Sequence, residues 1–302
     1  MKKIVFTLVL AMISGQIFAQ EETAKDSITD GWKRGGNILL TFNQSAYNNE
    51  WTAGGIGNIA ANILVNYDFN YTKENLIWDN KLIADYGVNK NDGQDDFTKN
   101  NDRLEFNSLA GKQMSNNWYY SFYFNMKTQM DASNVSTTFT NDAGTPLDTS
   151  DDYEDVKRTT TSHFFSPVYF QAGPGLLWKK SDNFNVNISP LAGKLILVHD
   201  EFAGAFGTEA GETTRFELGA AVRGYYKVDL MKNVSMENIL ALYSNYLEDA
   251  QNVDIDYTMN LAMQVNKYIS ANLTFQAIYD DNTQRNGFQI RETFGLGFNY
   301  AF

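Results

Sequence analysis

The chain contains no cysteine. That removes disulfides and thiolate metal sites, and it leaves no residue for a lipid anchor to acylate. Only 4 prolines and 2 histidines occur in 302 residues. Beyond the first twenty residues there is no apolar run near the ~20 residues that a membrane helix needs. Positive charge is also in short supply, with 24 Lys and Arg against 36 Asp and Glu. A nucleic-acid binder needs a basic footprint, so nucleic acid is excluded as a partner.

The start of the chain reads as a secretory signal peptide. Lys2 and Lys3 give the positive end, Ile4 to Ile13 is almost unbroken apolar, and Ile17-Phe18-Ala19 before Gln20 has the look of a cleavage site. The expected organisation is a signal peptide over 1–19, a short polar periplasmic tail over 20–35, and a single domain over 36–302. With Lys2 and Lys3 removed, 22 basic residues face 36 acidic ones, a net of −14. An acidic exported chain suits solubility and cation contact without naming a partner.

What the chain does have is alternation. Ile59, Ala61, Ile63, Val65, Tyr67, Phe69 and Tyr71 interleave with Asn58, Ala60, Asn62, Leu64, Asn66, Asp68 and Asn70. Val253, Ile255, Tyr257, Met259, Leu261, Met263 and Val265 interleave in the same way with Asp254, Asp256, Thr258, Asn260, Ala262, Gln264 and Asn266. A period of two sorts residues onto the two faces of a strand, which a helix would not do. The test predicts about twelve strands, near 36–45, 56–71, 76–89, 103–114, 118–130, 166–179, 184–198, 214–228, 234–247, 253–266, 268–280 and 288–302. Each is long enough to cross a bilayer tilted, which takes ~9–11 residues.

The links alternate too. Those after even strands are short (72–75, 115–117, 180–183, 229–233, 267). Several after odd strands are long (89–102, 131–165, 199–213). Short turns at one rim and long loops at the other are the asymmetry of a bacterial outer-membrane barrel. Aromatic residues gather towards strand ends, where amphipathic rings favour the headgroup level. The last strand alternates Phe294, Leu296, Phe298, Tyr300 and Phe302 with small or polar residues, which resembles the C-terminal signature offered to the barrel-assembly machinery.

The expected fold is therefore all-β: a transmembrane antiparallel up-and-down barrel of about twelve strands. A soluble barrel would turn its apolar face inward, but eight strands already make a well-filled core, and twelve would enclose an empty apolar cavity. Apolar-out follows, and the expected partner of that face is outer-membrane lipid. The lumen-facing candidates are then Asp79, Lys81, Asp85, Arg103, Glu105, Lys127, Arg215, Glu217, Arg223, Asp254, Asp256 and Arg291. Mixed charge leaves two readings open. One is a water-filled, porin-like passive channel for small polar solutes. The other is a salt-bridged interior that conducts little, serving as a structural or accessory subunit of an outer-membrane complex.

A third reading, a hydrolase at the rim, would use His199 with Asp200 and Glu201, or His163 with Ser162. Adjacent residues such as His199 and Asp200 usually point to opposite faces, so no catalytic residue and no enzyme activity is expected. Acidic runs at 91–96 and 148–155 are rich in oxygen ligands but lack the spacing of a calcium loop. There is no glycine-rich phosphate loop and no helix-borne metal pair, so neither cofactor nor metal is expected.

Several segments are similar to a family of exported proteins from Bacteroidetes-type bacteria known only as a domain of unknown function. They are Phe42-Asn43-Gln44, Asn49 to Gly55, Trp78-Asp79-Asn80, Asp85-Tyr86-Gly87, Asp102 to Glu105, Thr128-Gln129, Phe165-Ser166-Pro167 and Ser189 to Lys194. The resemblance runs over nearly the whole mature chain. It implies an outer-membrane location and supplies no activity and no functional residues.

Overall fold

A computed structural model describes residues 30–47, 56–94, 96–141, 153–280 and 287–302. The expected signal peptide over 1–19, most of the expected polar tail, Trp51, Gly54, Gly55, Asp95 and residues 148–152 of the second acidic run lie outside the described residues.

Alternating sequence has become strand almost throughout. In chain order the strands are β1 (Gly31–Ser45), β2 (Asn58–Lys73), β3 (Leu76–Asn91), β4 (Thr98–Ser115), β5 (Trp118–Thr128), β6 (Ser133–Asn141) and β7 (Tyr153–Ser162). They continue with β8 (Val168–Ser181), β9 (Phe184–Leu197), β10 (Thr214–Met231), β11 (Val234–Asn245), β12 (Asp254–Gln264), β13 (Ile269–Tyr279) and β14 (Gln289–Ala301). Twelve of them close into one antiparallel barrel, ordered as in the chain except that β8 follows β5. The pair β6–β7 forms its own two-stranded sheet. No helix among the described residues is long and apolar enough to cross a membrane.

Two differences from the expected strands have local causes. β1 begins at Gly31 rather than at 36, because Gly31 to Gly35 pair with Thr72 to Asp68, so residues 31–35 belong to the wall and not to the tail. The expected long loop over 131–165 contains the β6–β7 hairpin. Its sequence, rich in Ser, Thr and Asn, is exposed along most of its length, so no buried face imposes an alternation for periodicity to detect.

The short connections are short indeed. Pairs of residues link β2 to β3 (Glu74, Asn75), β4 to β5 (Asn116, Asn117), β8 to β9 (Asp182, Asn183) and β10 to β11 (Lys232, Asn233). Glu74 and Asn233 take positive φ of 51° and 66°, the left-handed geometry that tight hairpins require.

The seam joins β1 to β14 with Asn37 opposite Ala301 and Phe42 opposite Leu296. Gly36 and Phe302 extend it by exchanging backbone hydrogen bonds of 2.9 and 3.0 Å. A Cβ at Gly36 would lie 2.5 Å from the Asn66 carbonyl oxygen and 2.8 Å from the Phe302 ring. Only glycine lets the terminal ring settle there.

The outer face is apolar. Leu40, Phe42, Ile63, Leu82, Phe122, Leu176, Phe216, Phe294, Leu296 and Phe298 are all exposed, a continuous surface that water would not tolerate and acyl chains would. Rings contact one another across neighbouring strands at the short-turn rim. One row joins Tyr71, Trp32 and Trp78, and another joins Trp118, Trp178, Phe184 and Tyr226. These rows correspond to the expected aromatic girdle.

One polar set stands on this outer face and is satisfied within the wall. The Trp78 Nε1–H donates to Ser108 Oγ at 2.8 Å, Ser108 donates to Asn80 Oδ1 at 2.8 Å, and Asn80 Nδ2 donates to the Phe69 carbonyl at 3.0 Å. Asn80 is buried, so its amide costs the membrane little.

Candidate functional site: the braced barrel interior

Inward side chains reveal themselves by touching strands that are not their neighbours, since such contacts can only run through the interior. Lys81 Nζ on β3 lies 4.0 Å from Glu237 Oε1 on β11, the opposite wall of the barrel. Lys127 on β5 lies 3.4 Å from Asp256 on β12. Arg223 on β10 donates to Asn107 on β4 at 2.9 Å. Lys179 on β8 donates to Asp79 on β3 at 2.9 Å. Arg291 on β14 donates to Asn101 on β4.

The contacts group into two clusters. In the first, Arg103 lies 3.8 Å from Asp85 and 3.6 Å from Glu105. Asp85 accepts from Asn62 at 2.8 Å, and Glu105 accepts from Asn107 and Asn125, each at 2.9 Å. Asp256 joins from the far wall, held by Lys127 and by Gln276 at 3.0 Å. In the second, Glu217 is almost fully buried, at 1% exposure. It pairs with Arg215 Nε at 2.8 Å and with Lys194 at 3.4 Å. Lys194 also reaches Asp254 at 3.2 Å, and Arg215 reaches Glu248 at 2.8 Å. Neither Glu217 oxygen has a hydrogen-bond partner among the described residues, so the two flanking cations are what compensate its burial.

The fold thus places all twelve predicted residues in cross-linked polar contacts. It adds Lys179, Lys194, Asn101, Asn107, Asn125 and Gln276. Lys194 is the instructive addition. Strict alternation from Asn187 and Ser189 would send it outward. A bulge intervenes: Ser189 lies opposite Ala221, yet Ala192 lies opposite Gly219. The extra residue flips parity, so Ala192, Lys194 and Ile196 face inward. Pro190 sits in this bulge, where its missing N–H costs no ladder bond.

The interior is not wholly polar, which corrects the expected face. Tyr123, Ala192, Ala221 and Tyr243 form one buried apolar cluster, and Ile77, Tyr119 and Leu177 form another, with Leu109 packed against both. Inward aromatic side chains take up space that the sequence reading left to water. Lys194 Nζ stands 5.2 Å from the centre of the Tyr243 ring, a cation–π contact that ties the apolar patch to the charged cluster.

At the long-loop rim, Asp102 accepts the backbone N–H groups of Met130 and Asp131 at 2.7 and 2.9 Å. Tyr86 donates its hydroxyl to Asp131 at 2.8 Å. That phenol, followed by the N–H of Ala132 and the nearby Lys99, holds the Asp131 carboxyl below its ordinary range. His163 and His199, 36 residues apart in sequence, meet at this rim with their ring centres 5.5 Å apart. Asp200 and Glu201 lie on the 3₁₀ turn Asp200–Phe202 that follows His199, and Ser162 ends β7.

A closed twelve-strand wall, apolar towards its surroundings and charged within, defines an outer-membrane β-barrel. More particularly, residues 42–133 match the family described as Protein of unknown function (DUF3078). This is the N-terminal part of the span from Phe42 to Lys194 that carries the resemblance. No curated protein matches the chain. Solved structures similar to it include the translocator domain of the autotransporter NalP from Neisseria meningitidis, at 8% identity over 100% of this chain and 96% of that one, with a TM-score of 0.38. An outer membrane channel from Pseudomonas putida F1 aligns at 11% identity over 93% and 99%, TM-score 0.41. The outer membrane channel DcaP of Acinetobacter baumannii aligns at 10% over 90% and 96%, TM-score 0.28.

Proposed function

We propose that the protein is a passive outer-membrane channel of restricted bore for small polar solutes. The observation that carries this reading is the set of opposed charges bridging facing walls, above all Lys81 with Glu237 and Lys127 with Asp256. Paired charges of both signs, set among Asn and Gln amides, suit a hydrated constriction that admits polar molecules without a strong preference for anions or cations. The twelve predicted lumen residues are its lining. The strand that ends at Phe302 is the segment the barrel-assembly machinery would engage, and no enzymatic step is assigned.

A second reading is a non-conducting barrel that serves as a structural or accessory subunit. The same cross-wall contacts favour it, together with the apolar filling by Tyr123 and Tyr243. Reconstitution into planar bilayers separates the two. The channel reading expects small, salt-dependent conductance steps from the native protein and larger steps from the Lys81→Ala/Glu237→Ala double variant. Silence from both proteins overturns it and leaves the structural reading, which a pull-down from outer membranes would then pursue.

A further inference from the structure

We propose that His163, His199 and Glu201 form a binding site for a borderline divalent d-block cation, Zn²⁺ in the first instance, at the long-loop rim. The three side chains offer ligand atoms that all lie within 4.8 Å of one another. His163 Nε2 is 2.8 Å from Glu201 Oε1, and His199 Nδ1 is 3.7 Å from the same oxygen. In a tetrahedral zinc site with bonds of about 2.0–2.2 Å, neighbouring ligand atoms stand roughly 3.3–3.5 Å apart. The two observed distances bracket that spacing, so small side-chain rotations would centre an ion. Two imidazoles and one carboxylate, with a fourth position open to solvent, match the hard-to-borderline ligand preference of zinc.

The tautomer of His163 supplies an independent argument. Its Nδ1 lies 2.9 Å from the Phe164 carbonyl oxygen. A carbonyl only accepts, so Nδ1 carries the hydrogen, and in the neutral ring Nε2 is a bare lone pair. That lone pair faces a carboxylate oxygen, a repulsive contact unless a cation stands between them. The cation is either a second proton on the ring or a metal ion. A backbone carbonyl that fixes Nδ1–H and frees Nε2 is the usual outer support of a metal-bound histidine.

The site is also held in place. Ser166 is buried at 1% exposure and ties the two histidines from one position. Its backbone exchanges hydrogen bonds of 3.0 and 2.9 Å with His163, and its Oγ accepts the His199 N–H at 2.8 Å. Gln129 adds a bond to the His163 carbonyl at 3.2 Å, and the Phe202 ring packs edge-on against the His163 ring at 5.2 Å. Glu201 rides on the 3₁₀ turn, with Phe202 N–H bonded to the His199 carbonyl at 2.8 Å. Such support lowers the ordering cost of binding. The ion would join the base of the β6–β7 hairpin to the loop between β9 and β10, whether or not the barrel conducts.

The test uses the full chain, tag-free, purified in detergent, stripped with chelator and titrated with ZnCl₂ by calorimetry. Expected are one ion per barrel and a zinc-edge absorption spectrum with two imidazole nitrogens. His163→Gln, His199→Gln and Glu201→Gln should each weaken binding about tenfold or more, the scale seen even for outer-shell losses, while Asp200→Asn should not. Folding of each variant is checked by heat-modifiable mobility. Because the native protein alone gives the spectrum, misfolding of a variant does not rescue the idea. A native protein that binds no more zinc than the His163→Gln/His199→Gln double variant, or whose zinc sees only oxygen, overturns it and leaves an imidazolium–carboxylate pair.

Discussion

The two rims of the barrel are built on different principles. The short-turn rim spends almost no chain: four of its five connections are two residues long, and aromatic rings form rows along it. The long-loop rim carries the β6–β7 hairpin, the 3₁₀ turn and a lattice of side-chain to backbone bonds through Asp102, Gln129 and Ser166. One rim is strand pairing brought to its shortest end. The other is irregular backbone that has to be satisfied residue by residue. Irregular segments on a rigid scaffold are where binding groups tend to sit, and both histidines lie there.

The comparison is broken most severely at the short-turn rim. Gly36→Val should remove most of the folded barrel, because no rotation of the new side chain avoids the Asn66 carbonyl and the Phe302 ring together. The fraction of heat-modifiable protein on a cold gel measures this, and a fully folded variant would contradict the proposed seam. A smaller, local effect is expected at the other rim. Ser166→Ala leaves the His199 N–H without its acceptor, a loss of about 1–3 kcal/mol. Urea titration should register it while the wall keeps its strand signal. The smallest effect should come from Arg158→Ala. The Arg158–Asp96 pair is 2.9 Å long, but its side chains are 69% and 72% exposed. Its removal should shift stability by no more than about 0.5 kcal/mol, and a larger change would mean that the hairpin is docked more firmly than its contacts indicate.

The same division explains what could be read from the sequence. The wall was legible because one face of each strand meets hydrocarbon and the other does not, so period two is enforced on nearly every residue. Strand existence, count and the asymmetry of the connections followed. Parity failed where the ladder did: the bulge at Ser189 to Leu191 hid Lys194, and with it the partner of Glu217 and Asp254. The apolar patches inside the barrel were hidden for a related reason. Tyr123 and Tyr243 alternate correctly, but nothing local distinguishes an aromatic ring that fills the interior from one that faces lipid. His199 and Glu201 are near neighbours in the chain, but nothing local ties His163 to them, since it comes from a separate loop that the wall brings to the same rim. The match to an uncharacterised family over 42–133 adds no assignment for any of these residues.

The bridges between facing walls also bear on the order of assembly. Lys81 and Glu237, Lys127 and Asp256, and Arg223 and Asn107 are each separated by more than a hundred residues. None of these contacts exists in a hairpin or in an open, partly zipped sheet. They form only when the wall has curved far enough to bring these strands face to face across the interior, so they reward curvature rather than pairing between neighbours. A flat or weakly bent sheet lacks these bridges, so each of them favours the curved wall over the open one.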